Sequence, residues 1–297
     1  MRVYILLILC VLFWSGNFII GRYVSSAIDP VSLAFFRWVG VVFIIAPILI
    51  MRYKKILKSL QKNFFIITLA SVLGITSFNT FLYIGLQDTT AMNALLINSS
   101  IPILILILSF LIIKIDICTK QLLGIILSTI GVIYLITKGD FSVLLELQFN
   151  SGDLWVIASS LMWASYSVLL KFRPKELSDM EFFSTVVAIG TLVLGVIYFA
   201  IGSNFATDII IVKRYYWVFI YISLFTSVLS FYFWHQGIHA IGANKTGQFT
   251  HLMPLFGFVL AYIFLKEKLY FYHLIGAAFI AIGIWLSVIV KNQANLR

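Results

Sequence analysis

The sequence predicts an all-α integral membrane protein in which ten transmembrane helices form two inverted five-helix repeats. Three observations predict this fold: the composition, the positions of the charges, and a similarity between the two halves of the chain. Of the 297 residues, 62% are hydrophobic and 11% are charged. Soluble domains are about 45–50% apolar and about a quarter charged, so the composition excludes a soluble enzyme, a disordered chain and a nucleic-acid-binding domain.

Uncharged runs long enough to cross a bilayer follow one another along the chain. A membrane-spanning helix needs roughly 20 mostly apolar residues. The runs without Lys, Arg, Asp or Glu are 3–21, 64–87, 89–113, 121–137, 154–170, 182–207, 215–244, 246–265 and 269–290. One further run, 31–51, is interrupted only by Arg37. We therefore expect ten helices and short loops, the first helix being retained rather than cleaved as a signal peptide.

The basic residues of the short loops predict the orientation, because cytoplasmic loops carry an excess of Lys and Arg. With the N-terminus in the cytoplasm, 14 cations face that side: Arg2, Arg52, Lys54, Lys55, Lys58, Lys62, Lys114, Lys120, Lys171, Arg173, Lys175, Lys245, Lys291 and Arg297. The other side has 6: Arg22, Lys138, Lys213, Arg214, Lys266 and Lys268. We expect a multi-pass protein of the inner or plasma membrane with both termini in the cytoplasm. The net charge of +10 then reflects topology, and no nucleic-acid partner is expected.

The second half of the chain aligns on the first at an offset of 152 residues. The matched pairs are Gly85 and Gly237, Ala91 and Ala243, Pro102 and Pro254, Lys114 and Lys266, Gly124 and Gly276, and Gly131 and Gly283. With a shift of three residues, Trp14 corresponds to Trp163. We divide the chain into five-helix repeats 1–150 and 151–297. An odd number of crossings inverts the second repeat, and secondary transporters built this way place the substrate site at the repeat interface.

Several short motifs follow one another in a characteristic order. They are Leu12 to Phe18 (Leu-Phe-Trp-Ser-Gly-Asn-Phe), Asp29-Pro30 followed by Arg37, then Tyr83, Gly85, Ala91, Pro102, Gly124 and Gly131, and finally Gly237, Ala243, Pro254, Glu267, Gly276 and Gly283. In this order, and over its full length, the chain resembles EamA-type permeases of the drug/metabolite transporter superfamily. The resemblance implies a ten-helix bundle whose central cavity is walled by helices 1, 3, 4, 6, 8 and 9, and transport of small metabolites, including amino acids, often outward. The chain departs from the pattern at Ile115-Asp116, which stands where the second repeat has Glu267-Lys268.

Pro102 and Pro254 lie inside the fourth and ninth predicted helices. Each removes an amide donor and frees the carbonyl four residues earlier, which must then find a partner in protein, water or ligand. The polar side chains beside them are Asn98, Ser99, Ser100, Gln248, Thr250 and His251. We interpret both prolines as kinks, and of these side chains we assign Asn98, Ser99, Gln248 and His251 to a substrate cavity. The alternative is that they only join helices by hydrogen bonds.

Aromatic and polar residues share faces of four other predicted helices. The groups are Trp14 with Asn17; Thr76, Thr80 and Tyr83 with Asn79 beside them; Ser159, Trp163 and Tyr166; and Ser227, Ser230 and Trp234. The residues assigned to the cavity are Trp14, Asn17, Asn79, Tyr83, Trp163, Tyr166 and Trp234. Such a lining suits a modest amphipathic solute with hydrogen-bonding groups. The alternative is ordinary aromatic packing in the core or at the membrane interface.

Arg37 is the one formal charge well inside a predicted span. A central Arg costs about 2.5–3.5 kcal/mol on insertion scales, so it should face protein or water. Because it follows Asp29 closely, we expect it near the outer mouth, where its side chain can snorkel and serve as a structural anchor. The alternative role is recognition of a substrate carboxylate.

The titratable residues predict the mode of coupling. No Asp or Glu lies deep in a predicted helix, whereas proton-coupled pumps commonly carry one there. His251 is the only ionisable residue near the centre of a predicted span other than Arg37. A histidine can titrate near neutral pH, but a single one more often makes a hydrogen bond. We therefore expect facilitated export or exchange, with proton coupling through His251 as the alternative.

Together these features predict a secondary transporter that exports amino acids or similar small metabolites by alternating access. No cofactor or metal site is expected, because Cys10 and Cys118 are far apart and have no metal-ligand spacing. One alternative is a membrane-embedded enzyme using Ser99 or Ser100 with His251, although nothing in their spacing requires that pair. The other is a non-transporting receptor or scaffold, but such a role gives no reason for inverted symmetry. The sequence leaves the substrate and the oligomeric state open.

Overall fold

The computed structural model describes residues 2–24, 26–115, 117–142, 150–265 and 270–289. Within these ranges the chain is helical, with no strand. The helices of the first half are α1 (Arg2–Val24), α2 (Pro30–Lys62), α3 (Phe64–Asp88), α4 (Ala91–Asn98, then Ile101–Leu108 and Ser109–Ile113) and α5 (Thr119–Ile136). Those of the second half are α6 (Ser151–Phe172), α7 (Asp179–Ala200), α8 (Tyr216–Ile241), α9 (Ala243–Gly247, Gln248–His251 and Leu252–Leu265) and α10 (Phe271–Ile284 and Trp285–Ile289).

The described residues include nine helices that are long and apolar enough to cross a membrane. The segment that falls short of this length is α9, because a 3-10 turn at Gln248–His251 interrupts it and leaves 14 residues in its longest part. The all-α membrane fold is therefore confirmed, while the number of ten crossings stays a prediction. Some cations used for the predicted orientation lie outside the described residues: Lys266, Lys268, Lys291 and Arg297. So do Asp116 and Glu267 of the family motifs.

Two predicted spans have different limits in the structure. The uncharged run 182–207 does not form one helix, because α7 ends at Ala200 and Gly202 adopts a φ of +76°, a left-handed conformation that glycine tolerates. A short surface helix, Phe205–Arg214, then begins where the Asn204 side chain accepts a hydrogen bond from the main chain of Thr207. Helix α2 continues to Lys62 and so extends well past the predicted run 31–51.

Helices α5 and α10 pack against each other through four glycines. A Cβ atom on Gly124 would lie 2.5 Å from the carbonyl oxygen of Gly283, and one on Gly283 would lie 2.6 Å from that of Gly124. Gly131 and Gly276 face each other in the same way, at 2.9 and 3.1 Å. Small residues allow two helix backbones to approach this closely. At the offset of 152, Gly124 corresponds to Gly276 and Gly131 to Gly283. The Gly124–Gly283 contact is therefore the symmetry equivalent of the Gly131–Gly276 contact.

The other main helix contacts have the same symmetry. Helix α1 packs on α8 as α6 packs on α3, and α1 packs on α9 as α6 packs on α4. Helix α2 packs on its equivalent α7. This is the contact pattern of two inverted halves. The boundaries 1–150 and 151–297 stay predictions, and the last residues of the chain lie outside the described ones.

Candidate functional site

The helices α4 and α9 are interrupted at equivalent points near the centre of the molecule. In α4, regular helix stops at Asn98, and the Ser100 main chain donates to the Ile97 carbonyl at 3.0 Å before helix resumes. In α9 the interruption is the 3-10 turn that ends at His251. Pro102 and Pro254 each lie in the first turn after the break, where a proline is tolerated because no main-chain donor is needed. The break therefore precedes each proline.

One hydrogen bond joins the two interruptions. His251 Nε2 donates to the main-chain carbonyl of Ser99 at 2.8 Å, and its Nδ1 lies 2.7 Å from Ser128 Oγ. Residues 99 and 251 are equivalent at the offset of 152, so this bond crosses the axis that relates the halves. The Ser99 hydroxyl instead donates to Leu96 O. The predicted alternative of a catalytic Ser–His pair is wrong, because the imidazole binds a main-chain carbonyl and not the hydroxyl of Ser99 or Ser100.

A small cavity with a buried lining lies beside these interruptions. Its lining is Trp14, Asn17, Phe18, Arg37, Phe78, Asn79, Leu82, Asn98, Ile101, Trp163, Thr250 and Met253. Its volume is about 10 Å³, roughly what one water molecule needs. These residues come from α1, α2, α3, α4, α6 and α9. Helix α2 thus takes the place in the wall that the family resemblance gives to the eighth helix, and α8 lies behind it.

Arg37 is held at the cavity by neutral groups from three helices. The guanidinium is only 1% exposed, so the expectation that it snorkels to the outer mouth is wrong. Its hydrogen bonds run from Nε to Ser227 Oγ (2.8 Å), from Nη1 to Asn79 Oδ1 (2.7 Å), Tyr83 OH (2.8 Å) and Asn17 Oδ1 (3.3 Å), and from Nη2 to Thr226 O (3.2 Å). The Tyr83 hydroxyl in turn donates to Asn17 Oδ1 at 3.0 Å. Since Arg37 lies on the second helix but its partners lie on three others, tertiary packing alone fixes its position.

No carboxylate compensates this buried cation within the described part of the chain. The ion pairs formed there join Arg52 and Lys55 to Glu181, and Arg173 to Asp179. All of these lie at the end of the bundle predicted to be cytoplasmic. A buried charge without a counterion is costly, so this arrangement calls for an explanation.

The carbonyl that binds Arg37 Nη2 comes from a widened turn of α8. Residues Leu224–Leu229 form a π-helical turn, and so do the equivalent residues Val72–Ser77 of α3. Such turns are frequent at functional sites. Within the α8 turn, the carbonyl of Thr226 accepts from both Trp14 Nε1 (3.0 Å) and Arg37 Nη2 (3.2 Å).

Three tryptophans form an aromatic wall on one side of the cavity. The rings of Trp14 and Trp163 meet edge to face at 4.9 Å, and Trp234 lies 5.1 Å from the first and 5.5 Å from the second. The Trp234 indole donates to Ser167 Oγ at 3.1 Å. Its ring therefore supports the wall from behind, while the other two rings face the cavity.

Three polar atoms of the lining residues have no hydrogen-bond partner among the residues that the structure describes. They are Asn79 Nδ2, Asn98 Oδ1 and Trp163 Nε1, and all are buried. Buried polar groups in native proteins nearly always have partners, and leaving one unsatisfied costs about 1–3 kcal/mol. Two donors and one acceptor around a single cavity are therefore available to a ligand or to water.

The predicted cavity residues fall into three groups. The residues that line the cavity are Trp14, Asn17, Asn79, Asn98 and Trp163. Two residues contact the lining from outside: Tyr83 binds Arg37, and Trp234 packs on Trp14 and Trp163. The residues outside the lining are Ser99 and His251, which bind each other; Gln248, whose Oε1 lies 3.5 Å from Ser128 Oγ; and Tyr166, whose hydroxyl lies 2.7 Å from His235 Nε2.

The lining also contains apolar residues that the sequence reasoning did not assign. They are Phe18, Phe78, Leu82, Ile101 and Met253. Helical spacing carries a signal for some of them, because Phe18 follows Trp14 by four residues and Leu82 follows Asn79 by three. Helical spacing carries no signal that the Thr226 carbonyl accepts from Arg37 and Trp14, because a widened turn shifts the face that a helix presents.

Comparisons with known proteins agree with this architecture. A profile of the EamA-like transporter family matches residues 1–137 and again 150–289. Uncharacterized transporter YyaM of Bacillus subtilis (strain 168) is 29% identical over 289 residues, which cover 96% of this chain and 92% of that protein. An uncharacterized transporter of Archaeoglobus fulgidus is 28% identical over 307 residues, covering 98% and 99%. A solved crystal structure superimposes with a TM-score of 0.75 over 97% of this chain and 96% of its own, and at 13% identity this likeness shows the fold alone.

Proposed function

Because the chain belongs to the EamA-like transporter family, we propose that it exports amino acids or similar small metabolites across the inner or plasma membrane by alternating access. The chain is a multi-pass membrane transporter and not an enzyme, as its family and its relatives indicate. We also propose that both termini lie in the cytoplasm and that the chain divides into repeats 1–150 and 151–297.

The observation that carries the proposal is the small polar-aromatic cavity between the two halves, whose lining residues are buried. Five of the predicted binding residues surround it, and three of these have an unpartnered polar atom. A volume of about 10 Å³ holds roughly one water molecule and no amino acid. A solute can therefore enter only after one end of the bundle opens, which is what alternating access requires.

Polar contacts close the bundle at both ends. At the end predicted to be cytoplasmic, Lys55 of α2 donates to Glu181 of α7 at 2.6 Å. At the opposite end, Thr89 Oγ1 after α3 donates to Asp153 Oδ1 of α6 at 2.6 Å. Each contact joins the two predicted repeats. The Lys55 side chain is partly exposed, and an ion pair near water is exchanged for water at small net cost, so this closure suits a gate that opens and closes. The Thr89–Asp153 hydrogen bond is buried, so opening the other end requires water or a solute to replace it.

The cavity wall supports uncoupled export or exchange. Its described residues include no Asp or Glu. The two hydrogen bonds of His251 are accounted for by Ser99 and Ser128. We therefore expect that an imposed pH gradient does not drive solute uptake into proteoliposomes, and solute accumulation that a protonophore abolishes would favour proton coupling.

Flux in proteoliposomes tests the proposed function. The vesicles are loaded with the twenty amino acids, and the entry of an isotope-labelled mixture is followed by mass spectrometry. We expect Trp14→Ala, Asn98→Ala and Trp163→Ala to slow flux at least tenfold at normal protein amounts, because each removes part of the lining. Trp285→Ala is the matched control, since that indole is 54% exposed on the outer face of α10. Normal flux in all three cavity variants would contradict the assigned site.

A further inference from the structure

We propose that Arg37 binds a carboxylate group of the transported solute, so that the substrates are small molecules with one carboxylate. This inference rests on the proposed transport function and adds the chemistry of its substrate. It is carried by the charge of the site, by its unused donors, and by the rigid placement of the guanidinium.

The positive charge of the site favours the binding of an anion. Arg37 is buried in the bundle interior, where an unpaired guanidinium is costly, and all its hydrogen-bond partners are neutral. The described acidic residues toward the opposite end of the bundle from the Glu181 ion pairs have other partners. Asp29 caps α2, Asp88 accepts from Ser151, Asp140 from Ser142, Asp153 from Thr89 and Asp208 from Tyr198. Within the described part of the chain no carboxylate pairs with Arg37, so the carboxylate of a bound solute would supply its counterion.

The unused hydrogen-bond capacity has the right polarity for a carboxylate. Nη2 of Arg37 carries two N–H groups, and one acceptor, Thr226 O, lies within reach. Asn79 Nδ2 and Trp163 Nε1 are further donors without a partner. A carboxylate offers about four acceptor positions and no donor, so these groups can bind it together. The free acceptor Asn98 Oδ1 suits an amino or hydroxyl group of the same solute.

The guanidinium is held in a fixed plane before any ligand arrives. Asn17, Asn79 and Tyr83 bind Nη1, while Ser227 binds Nε. Such preorganisation reduces the entropy lost on binding. A planar guanidinium matches a planar carboxylate. A phosphate, with a charge of about −1.5 to −2 at neutral pH, would exceed the single positive charge of this wall, so the geometry favours one carboxylate.

The substitution Asn79→Asp separates this role from a purely structural one. It replaces an amide oxygen that lies 2.7 Å from Nη1 by a carboxylate oxygen of the same shape. The new side chain supplies the missing counterion from within the protein, so we expect a melting temperature equal to or above that of the wild type. Because Arg37 is then neutralised, we expect acids to bind at least tenfold more weakly. Because Asn79→Asp also removes the Nδ2 donor assigned to the carboxylate, its effect is compared with that of Arg37→Gln, which keeps this donor. If Arg37 only joined helices, Arg37→Gln would keep the preference for acids over amides.

The assay measures the melting temperature of the purified full-length protein with each common amino acid, its carboxamide and its decarboxylated amine. We expect at least one acid to stabilise the wild type, and its amide and amine to have no effect. Asn93→Asp, which adds the same charge away from the cavity, should behave like the wild type. Arg37→Lys should keep the preference for acids with weaker binding, and Arg37→Gln should lose it.

Several results would overturn the inference. They are stabilisation by amides equal to that by acids, no stabilisation by any acid, undiminished acid binding in Asn79→Asp, and a melting temperature of Asn79→Asp below that of the wild type. Counterflow in proteoliposomes distinguishes this failure from failure of the proposed function. Amide flux as fast as acid flux would contradict the carboxylate site and support transport. Acid binding without flux would contradict transport and support the carboxylate site.

Discussion

The glycine contact between α5 and α10 makes a quantitative prediction for Gly124→Ala. A Cβ atom there would lie 2.5 Å from Gly283 O and 2.7 Å from the Cβ of Ser287. Ordinary contacts between non-bonded carbons are about 3.5–4.0 Å, so the helices must separate by roughly 1 Å. Overpacking of this kind costs about 1–3 kcal/mol, and the higher helix propensity of Ala returns up to about 1 kcal/mol. We expect a net loss of about 1–2 kcal/mol in the free energy of unfolding.

Gly257→Ala is the matched control, because it makes the same change inside α9. A Cβ atom at that position meets only Leu95 Cδ1, at 3.5 Å, which is an ordinary contact. We expect its free energy of unfolding to stay within about 0.5 kcal/mol of the wild type or to rise, since it gains helix propensity without a clash. Both variants are measured by titrating the detergent-solubilised protein with sodium dodecyl sulfate and recording circular dichroism. Equal stability of Gly124→Ala and Gly257→Ala would refute the close backbone contact.

The double variant Gly124→Ala/Gly283→Ala tests whether one contact accounts for both glycines. Each methyl group would face the carbonyl of the other glycine. Once the first substitution has moved the helices apart, the second has less to displace. We therefore expect the loss in free energy of unfolding of the double variant to be smaller than the sum of the two single losses, by about 0.5 kcal/mol or more. Strict additivity would mean that the two positions pack independently.

Two further predictions concern the central hydrogen bond and the loop before α7. His251→Phe leaves the Ser99 carbonyl without its donor, so we expect a loss of about 1–3 kcal/mol in the same unfolding titration, and a stability equal to that of the wild type would contradict the bond. A hydrogen bond from its own main chain and one from Ser59 hold the pKa of Glu176 below its ordinary value of 4.5. Its stabilising effect is therefore present above pH 4.5 and is lost as the pH falls through the lowered pKa. Glu176→Gln should flatten this acid-side decline in melting temperature, and an unchanged decline would show that other groups cause it.

The sequence alone predicted the backbone of the site better than its side-chain contacts. Pro102 and Pro254 marked the two interruptions, because a proline cannot continue the main-chain hydrogen bonds of a helix. The glycine pairs marked the α5–α10 contact for a similar reason, since only small residues permit it. These features are local properties of residue type. They can be recognised without knowing which helices are neighbours.

The environment of Arg37 could not be predicted in this way. Its partners lie on α1, α3 and α8, up to 190 residues away in the sequence. The π-helical turn Leu224–Leu229 presents Thr226 and Ser227 on a face that regular helical periodicity would not assign. A charge early in a predicted span suggests snorkelling, whereas packing buries this one among three other helices. The short helix Phe205–Arg214 was missed for a different, local reason: its start depends on Gly202 and on a cap at Asn204, whereas the prediction followed only the uncharged run 182–207.

The duplicated scaffold carries an asymmetric site, and this asymmetry bears on how a solute is held. The widened turns of α3 and α8 are equivalent, yet Thr226 of α8 binds Trp14 and Arg37, while its counterpart Gly74 lies against the Tyr166 ring. At the places corresponding to Arg37, the second half has Val186 or Ile189 under the two offsets. Among the described lining residues, the one cation therefore comes from the first half. A solute with a single carboxylate can satisfy it in one orientation, whereas a symmetric pair of cations would select dianions.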